Sequence, residues 1–296
     1  MTHKKIIFLI TPAPVENAHL ANLGERENHL LLPKAFEDCG WAVSCTEHES
    51  ISLGPSGAEI AGALATDYDL IWPVGFGPKN SFLDRSSLLA SIHPRRLITP
   101  ISAQILSHGK SAWIEHCPET HISNSPDVLM RVLSSAKGTW VLKPLAGSFG
   151  RGVQIVEAGG TILEEKLLQT TLAQTPGAYF CLQRFLPDIA KGETRTLVVG
   201  GEIIGSYLRK PTDGLRANLA QFASAERTRL TAPQTALVAK IQQDLVDKRI
   251  GFAAIDSVGE YLMEVNVANP GGLGTLNHLY QKDFGAAVVE AVEGFI

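Results

Sequence analysis

The chain has 296 residues, 45% of them hydrophobic and 19% charged, with a formal net charge of −4. This composition describes a globular protein and excludes a disordered one, and the length fits two domains or three small ones. The mild acidity gives no general electrostatic drive toward nucleic acid or an anionic membrane.

No apolar run reaches the length of a membrane span. Lys4 and Lys5 precede an apolar run at 6–10 that is too short for a secretory signal and is followed by Pro12 and Pro14. Cys39, Cys45, Cys117 and Cys181 form no CxxC pair and read as reduced, mostly buried thiols of a cytoplasmic protein.

In chain order, residues 6–10 are expected as a buried strand, 28–39 as a helix, 41–45 as a strand and 58–65 as a helix. Strand 69–74, helix 86–92 and strand 96–99 follow. Strands separated by helices predict a parallel α/β sheet. No GxGxxG follows the first strand, so the dinucleotide-binding fingerprint is absent. Glu25-Arg26-Glu27 lies after the first strand, where α/β domains bind ligands, although a solvated loop is the simpler account. Trp41, Trp72, Trp113 and Trp140 fall in or beside apolar runs and are expected in the core. His93, His108, His116, His121 and His278 lack metal-ligand spacing and are expected on the surface or in loops.

Residues 101–108 and 110–115 are expected as helices, 119–122 as extended, and 127–135 as a helix. In TWVLKPLAGSFGRGVQIVE, residues 139–157, a strand carrying Lys143 leads through Gly147, Gly150 and Gly152 into a second strand. Glycines so closely spaced let the backbone approach phosphates and point N–H groups at them. The loop joins two strands and GxxxxGK[ST] is absent, so it is not a Walker A loop. Burying Lys143 among its apolar neighbours would be costly without an anion. Helix 161–173 and an apolar strand at 178–187 follow, then a polar segment at 188–193. A hairpin turning at Gly200-Gly201 carries Arg195 on one arm and Arg209 and Lys210 at the end of the other. Residues 211–225 are turn-rich and read as a movable loop holding Arg216 and Asn218. Helices are expected at 232–249 and 277–294.

Between those two helices, GFAAIDSVGEYLMEVNVANPGGLG (251–274) reads as strands 252–255 and 261–267 around a turn with Gly259. Glu264 and Asn266 are two apart and share a face, and a three-residue turn would set Asp256 opposite Glu264. Two carboxylates about 4 Å apart repel by roughly 4 kcal/mol at an effective dielectric near 20. A shared proton, a neighbouring base or a cation must offset this, unless the hairpin simply lies in water. Two carboxylates and an amide oxygen are hard ligands of the kind that suit magnesium held with substrate phosphates.

The order Lys110, Lys143, glycine-rich hairpin, apolar strand, Glu193, Arg195, Arg216-x-Asn218 and Asp256…Glu264-x-Asn266 resembles the ATP-grasp ligases. WVLKPLAGSFGRGV, LQRFLPDIAKGETRTLVVGGEII, RANLA and IDSVGEYLMEVNV are similar to the corresponding stretches of prokaryotic glutathione synthetases, over roughly residues 95–296. The resemblance implies an α/β fold in which an N-terminal parallel α/β (pre-ATP-grasp) substrate domain, 1–105, precedes a two-subdomain ATP-grasp fold. That fold comprises a lid subdomain, 106–187, and a C-terminal catalytic subdomain, 188–296.

It further implies that Lys110 and Lys143 hold the α- and β-phosphates of ATP, while the loop of Gly147, Ser148, Phe149, Gly150 and Gly152 closes over the triphosphate. Gln183, Arg184, Phe185 and Leu186 line the adenine, and Glu193 reaches the ribose. Asp256, Glu264 and Asn266 bind two Mg²⁺ ions, for which Mn²⁺ can substitute. Arg195, with Arg209 or Lys210, stabilises the transferring phosphoryl group and the tetrahedral intermediate, and Arg216 and Asn218 close over it.

The implied activity joins a carboxylate to an amine through an acyl phosphate, with γ-glutamylcysteine and glycine as leading substrates. Other ligases of amino acids, dipeptides or glutamate are the alternative, as is a nucleotide-binding regulatory protein. The sequence departs from the family in its N-terminal domain, at 72–80, and at Asn269-Pro-Gly271-Gly272, where the family takes the acceptor's carboxylate. The implied partners are small amino acids or peptides and a second or further copies, as homodimer or homotetramer. Neither nucleic acid nor membrane is among them.

Overall fold

The computed structural model describes residues 3–11, 28–146, 152–211 and 224–296. Its first part comprises β1 (Lys5–Ile10), α1 (Asn28–Asp38), β2 (Ala42–Glu47), β3 (Ile51–Gly54), β4 (Gly57–Ile60), β5 (Ala63–Leu64), β6 (Leu70–Pro73), α2 (Phe82–Ala90) and α3 (Ile101–Ser107). β1 lies between β2 and β6, parallel to both. Residues 6–9 are all buried, as a central parallel strand covered on both faces requires. Ile6 and Phe8 face Leu32 and Phe36 of α1, while Ile7 and Leu9 face Leu89 of α2.

Two sequence expectations fail here. Residues 58–65 are not a helix but arms of the small antiparallel sheet β3–β4–β5. Gly54 and Gly57 bracket a tight turn there, with Gly57 at φ +113°. The hairpin buries Ile51 and Ile60 against the α2 side of β1, a tertiary gain that overrides local helical preference. Residues 96–99 are not a strand either. Pro94–Arg96 is a 3₁₀ turn, and Leu97 makes only an isolated parallel bridge to Ile71.

The middle part holds β7 (Thr120–Ser123), α4 (Pro126–Ser135), β8 (Thr139–Pro144), β9 (Gln154–Glu157), α5 (Ile162–Ala173) and β10 (Phe180–Arg184). These strands form an antiparallel sheet in the order β7-β10-β8-β9. Leu129 and Leu133 of α4 and Leu168 and Leu172 of α5 pack on Trp140, Leu142 and Leu182. Ahead of this sheet, the expected helix at 110–115 is a 3₁₀ turn, Ser111–His116.

The last part holds β11 (Glu193–Val199), β12 (Glu202–Lys210), β13 (Ser224–Arg227), α6 (Ala232–Asp247), β14 (Phe252–Val258), β15 (Tyr261–Asn266), α7 (Leu273–Tyr280) and α8 (Gly285–Phe295). Its five strands are antiparallel, in the order β13-β12-β11-β14-β15. A capping box between Thr231 and Gln234 starts α6, whose Leu237, Val238 and Ile241 cover Ala253, Ile255 and Val265. On the opposite face, Leu197, Val199, Phe252 and Ala254 join Phe8 and Trp72 in one core closed by Val288 and Val292 of α8. The first and last sheets therefore share a hydrophobic core. The single helix expected at 277–294 is two, because Gln281 adopts a left-handed conformation at φ +51° and ends α7. All four tryptophans are buried, as are Cys117 and Cys181, but Cys39 and Cys45 are exposed.

Candidate active site

Strand register assembles this site. Phe252, Ala254 and Asp256 alternate onto one face of β14, the face that meets the first sheet. Beyond the apolar core that same face continues as charge: Asp256 pairs with Arg195 of β11 on one side and with Glu264 of β15 on the other. The expected opposition of Asp256 and Glu264 is present, though the turn differs. β14 runs to Val258, Gly259 at φ +57° supports a two-residue turn, and a bulge after Asp256 restores the facing register.

The carboxylate repulsion is met by cations. Arg195 donates from Nε to Asp256 Oδ1 (2.8 Å) and from Nη2 to Oδ2 (2.7 Å). Arg209 Nη2 lies 2.8 Å from the same Oδ2 and 2.5 Å from Glu193 Oε2. Burial alone would raise the Asp256 pKa, but the two guanidiniums hold it at about 2. Glu193 is raised by its burial against the pull of Arg209. Lys110 donates to Glu264 Oε1 at 2.9 Å, and Gly109 N–H binds Val265 O at 3.1 Å, fixing the start of the 3₁₀ turn beside β15. Burial opposes both charges of that pair, yet each is stabilised by the other: Lys110 is raised and Glu264 lowered.

Lys143 is different. Its Nζ donates to Gln183 Oε1 at 2.7 Å, and among the described residues no carboxylate pairs with it. Burial and neighbouring Lys110 lower its pKa. A half-buried ammonium with no carboxylate partner among the described residues favours arrival of an anion.

The donor set also fits a hard cation. Asp256 Oδ1 and Asn266 Oδ1 each accept one bond, the latter from Ala268 N–H at 3.3 Å, and each oxygen keeps a lone pair. Glu264 accepts Lys110 through Oε1, and its side chain is 34% exposed, so it remains accessible. Among the described residues, the one cluster of histidine and carboxylates close enough to share an ion lies elsewhere: Glu115, His116 and Asp244, on the 3₁₀ turn and α6. His116 lacks metal-ligand spacing in the sequence, and it is the fold that brings Asp244 within 4.0 Å of it. Asp244 is too distant in sequence to suggest the contact.

The structure separates Arg209 from Lys210. Arg209 is buried in the carboxylate cluster, whereas Lys210 points to the other side of β12 and pairs with Glu226 at 2.7 Å. In the expected adenine strand, Arg184 N–H is committed to Glu119 O (2.8 Å) and Phe185 N–H to Thr139 O (3.0 Å). The Gln183 side chain bridges Lys143 and Thr120. Gly152 is described at φ +72°; Gly147, Ser148, Phe149, Gly150, Arg216, Asn218 and the Glu25-Arg26-Glu27 segment lie outside the described residues.

The loop after β15 lies at the rim of this cluster: Arg195 Nη1 donates to Gly271 O at 3.1 Å. Gly272 takes φ +137°, and a Cβ there would stand 2.9 Å from the Tyr207 hydroxyl oxygen, so a side chain is excluded. Several residues that sequence reasoning missed hold this part of the molecule. Asn28 of α1 donates to Asn269 Oδ1 and Pro270 O, and Gly75 N–H binds Ala268 O. Buried Arg85 donates to Phe76 O and Pro78 O, bracing the loop after β6. The ring of His108 meets Phe76 at 5.0 Å between centroids. Only Asn28 carried a sequence signal, that of a polar residue opening an apolar helix.

Residues 110–281 match the family model of the prokaryotic glutathione synthetase ATP-grasp domain. The glutathione synthetase of Parasynechococcus marenigrum is 28% identical over 279 residues, covering 90% of this chain and 87% of that one. Among solved structures, a D-cycloserine synthetase superposes with a TM-score of 0.67 at 15% identity, over 99% of this chain and 100% of that one. A RimK-domain ATP-grasp protein of Sphaerobacter thermophilus gives 0.63 at 17% identity, over 97% and 98%. With its family match spanning more than half its length, its fold shared with ATP-grasp proteins and its carboxylate–cation face on the matched strands, the chain belongs to the prokaryotic glutathione synthetase family of ATP-grasp ligases.

Proposed function

We propose that this chain joins the carboxylate of a γ-glutamyl dipeptide to the amine of an amino acid, with γ-glutamylcysteine and glycine as the leading pair. The observation that carries this reading is the face on which Arg195 and Arg209 grip Asp256 while Lys110 grips Glu264 and Lys143 stands without a carboxylate among the described residues. A carboxylate is a poor electrophile. Its oxygen attacks the γ-phosphorus of ATP, ADP leaves, and the acyl phosphate is then attacked by the amine with release of phosphate. Cations placed where charge develops are what such chemistry needs.

Lys110 and Lys143 are assigned to the phosphates, with the glycine loop at 147–152 above them. Leu186, whose backbone N–H is uncommitted among the described residues, is assigned to the adenine edge. Glu193 is assigned to the ribose, for which it must give up part of its contact with Arg209. Arg195 and Arg209, rather than Lys210, are assigned to the transferring phosphoryl group, with Arg216 and Asn218 closing over it. Asp256, Glu264 and Asn266 would hold magnesium, two ions in this reading, which when bound neutralises phosphate charge. Residues 1–105 then act as substrate domain, 106–187 as lid and 188–296 as catalytic subdomain, in a cytoplasmic homodimer or homotetramer.

The test is a panel of donors and acceptors with ADP and phosphate release as readout. Release that requires both γ-glutamylcysteine and glycine supports the reading. ATP binding without turnover across the panel overturns it in favour of a regulatory nucleotide-binding protein.

A further inference from the structure

Helix α1 opens on Asn28, which belongs to the first sheet's layer yet is fully buried. Both hydrogens of its side-chain amide go into the loop between β15 and α7, to Asn269 Oδ1 at 2.7 Å and to Pro270 O at 2.9 Å. The same loop is held one residue earlier, where Ala268 O accepts from Gly75 N–H at 3.0 Å and from Gln104 Nε2 at 3.4 Å. One residue later, Gly271 O accepts from Arg195, the arginine that grips Asp256. A short chain of contacts thus runs from the first helix through this loop to the charged cluster.

The remaining polar atom of Asn28 is left over. Its Oδ1 is buried with no hydrogen-bond partner among the described residues. Orphaned buried acceptors are uncommon because desolvation is not repaid, and an apolar side chain would avoid that cost. A group that donates N–H at this position would satisfy it.

We propose that Asn28 is a substrate-positioning residue: its two N–H bonds set the loop at 268–272, and its free oxygen accepts a hydrogen bond from the amine of the acceptor. The acceptor is an amino acid or short peptide, whose carboxylate the family resemblance already assigns to this loop. An amide oxygen can orient an amine in this way without taking its proton, leaving the nitrogen lone pair for attack. This rests on the ligase reading above, and extends it by giving the N-terminal domain a direct part in acceptor choice.

Two variants and two readouts test it. In Asn28→Ala, amide hydrogen exchange at 268–272 should accelerate about tenfold while the rest of α1 and β14 is unchanged, as expected for lost local hydrogen bonds. The KM for the acceptor should rise about tenfold with the KM for ATP held within twofold. Asn28→Asp retains an oxygen but loses both donors, so exchange should accelerate as in Asn28→Ala while the acceptor KM rises less. Should Asn28→Ala fail to fold, Asn269→Ala removes one bond from the loop side and should give the same split between acceptor and ATP.

Unchanged exchange at 268–272 overturns the proposal whatever the turnover assay gives, as does an equal rise of both KM values. A wild-type protein that turns over no donor and acceptor pair, with exchange at the loop still dependent on Asn28, overturns the ligase reading and with it the amine contact, but upholds the positioning of the loop.

Discussion

The ion cluster around Asp256 makes a quantitative prediction. Asp256 is 2% exposed and accepts from two arginines, of which Arg209 is 5% exposed. Its carboxyl is held at about 2 against an ordinary 3.8, and at about 1.36 kcal/mol per unit this difference corresponds to roughly 2 kcal/mol in favour of the ionised form. Removing one partner of a buried pair costs about 3–5 kcal/mol, so Asp256→Asn should destabilise by about 2–5 kcal/mol at pH 7. Arg209→Met leaves Asp256 with Arg195 but strips Glu193 of its guanidinium partner. The double variant removes one charge of each sign and should be more stable than the sum of the single effects predicts, by about 1–3 kcal/mol. Urea unfolding of the four proteins, without nucleotide or divalent metal, measures this coupling. A value below about 0.5 kcal/mol would refute the pairing. The sign with pH is fixed too. The unfolded state takes up the proton first, so stability from this group is complete above 3.8 and is lost as pH falls toward 2. Asp256→Asn should lack that component.

Three further outcomes are expected. Glu264→Gln should abolish turnover and weaken magnesium-dependent ATP binding by calorimetry, and should destabilise by about 1–3 kcal/mol, because Glu264 is partly exposed but its loss leaves buried Lys110 without a carboxylate. Burial lowers His48 to about 4, so the unfolded chain binds its proton first and stability falls as pH drops from 6.5 to 4. The loss should total about 3 kcal/mol, and acid titration of unfolding should show that step missing in His48→Gln. The Lys143 pKa, lowered by burial and by Lys110, should rise when a polyanion binds beside it. ATP affinity should therefore decline on the alkaline side as Lys143 loses its proton, and Lys143→Arg, permanently charged, should flatten the decline; an identical slope in that variant would remove Lys143 from the phosphate site.

How much could be read from the sequence divides by the range of the interactions involved. The hairpin at Gly200-Gly201 and the facing of Asp256 and Glu264 follow from turn chemistry and alternation, and the structure contains both. Helix 58–65 failed because local helical preference is weak, and burying Ile51 and Ile60 against the first sheet outweighs it. The helix at 277–294 failed at Gln281, since a non-glycine residue in the left-handed region gives no reliable sign in sequence. In the site, residue types announced the carboxylates and lysines. Which of Arg209 and Lys210 belongs there depended on strand parity beside Glu193, and Asn28 depended on a contact between distant parts of the chain.

Among the described residues seven charged groups meet on this face: Lys110, Lys143, Arg195 and Arg209 against Glu193, Asp256 and Glu264, a surplus of one positive charge. The surplus bears on how the site works. If the carboxylates were uncompensated, the hairpin would carry their repulsion; if the cations were unpaired, each would be buried at a cost of several kcal/mol. Pairing them relieves both and fixes the guanidinium planes and the Lys110 ammonium in place before any substrate arrives. Under the proposed ligase reading, entering phosphate oxygens would give these cations one set of oxygen partners in exchange for another, without the cations first being stripped of water. Little reorganisation then accompanies the chemistry, which is the condition under which fixed charges stabilise a transition state most effectively. The Lys110–Glu264 pair is the more exposed and is held by a single bond, whereas Arg195 holds Asp256 by two. On that reading the first exchange should occur at Lys110, while the doubly bonded Arg195–Asp256 pair stays fixed.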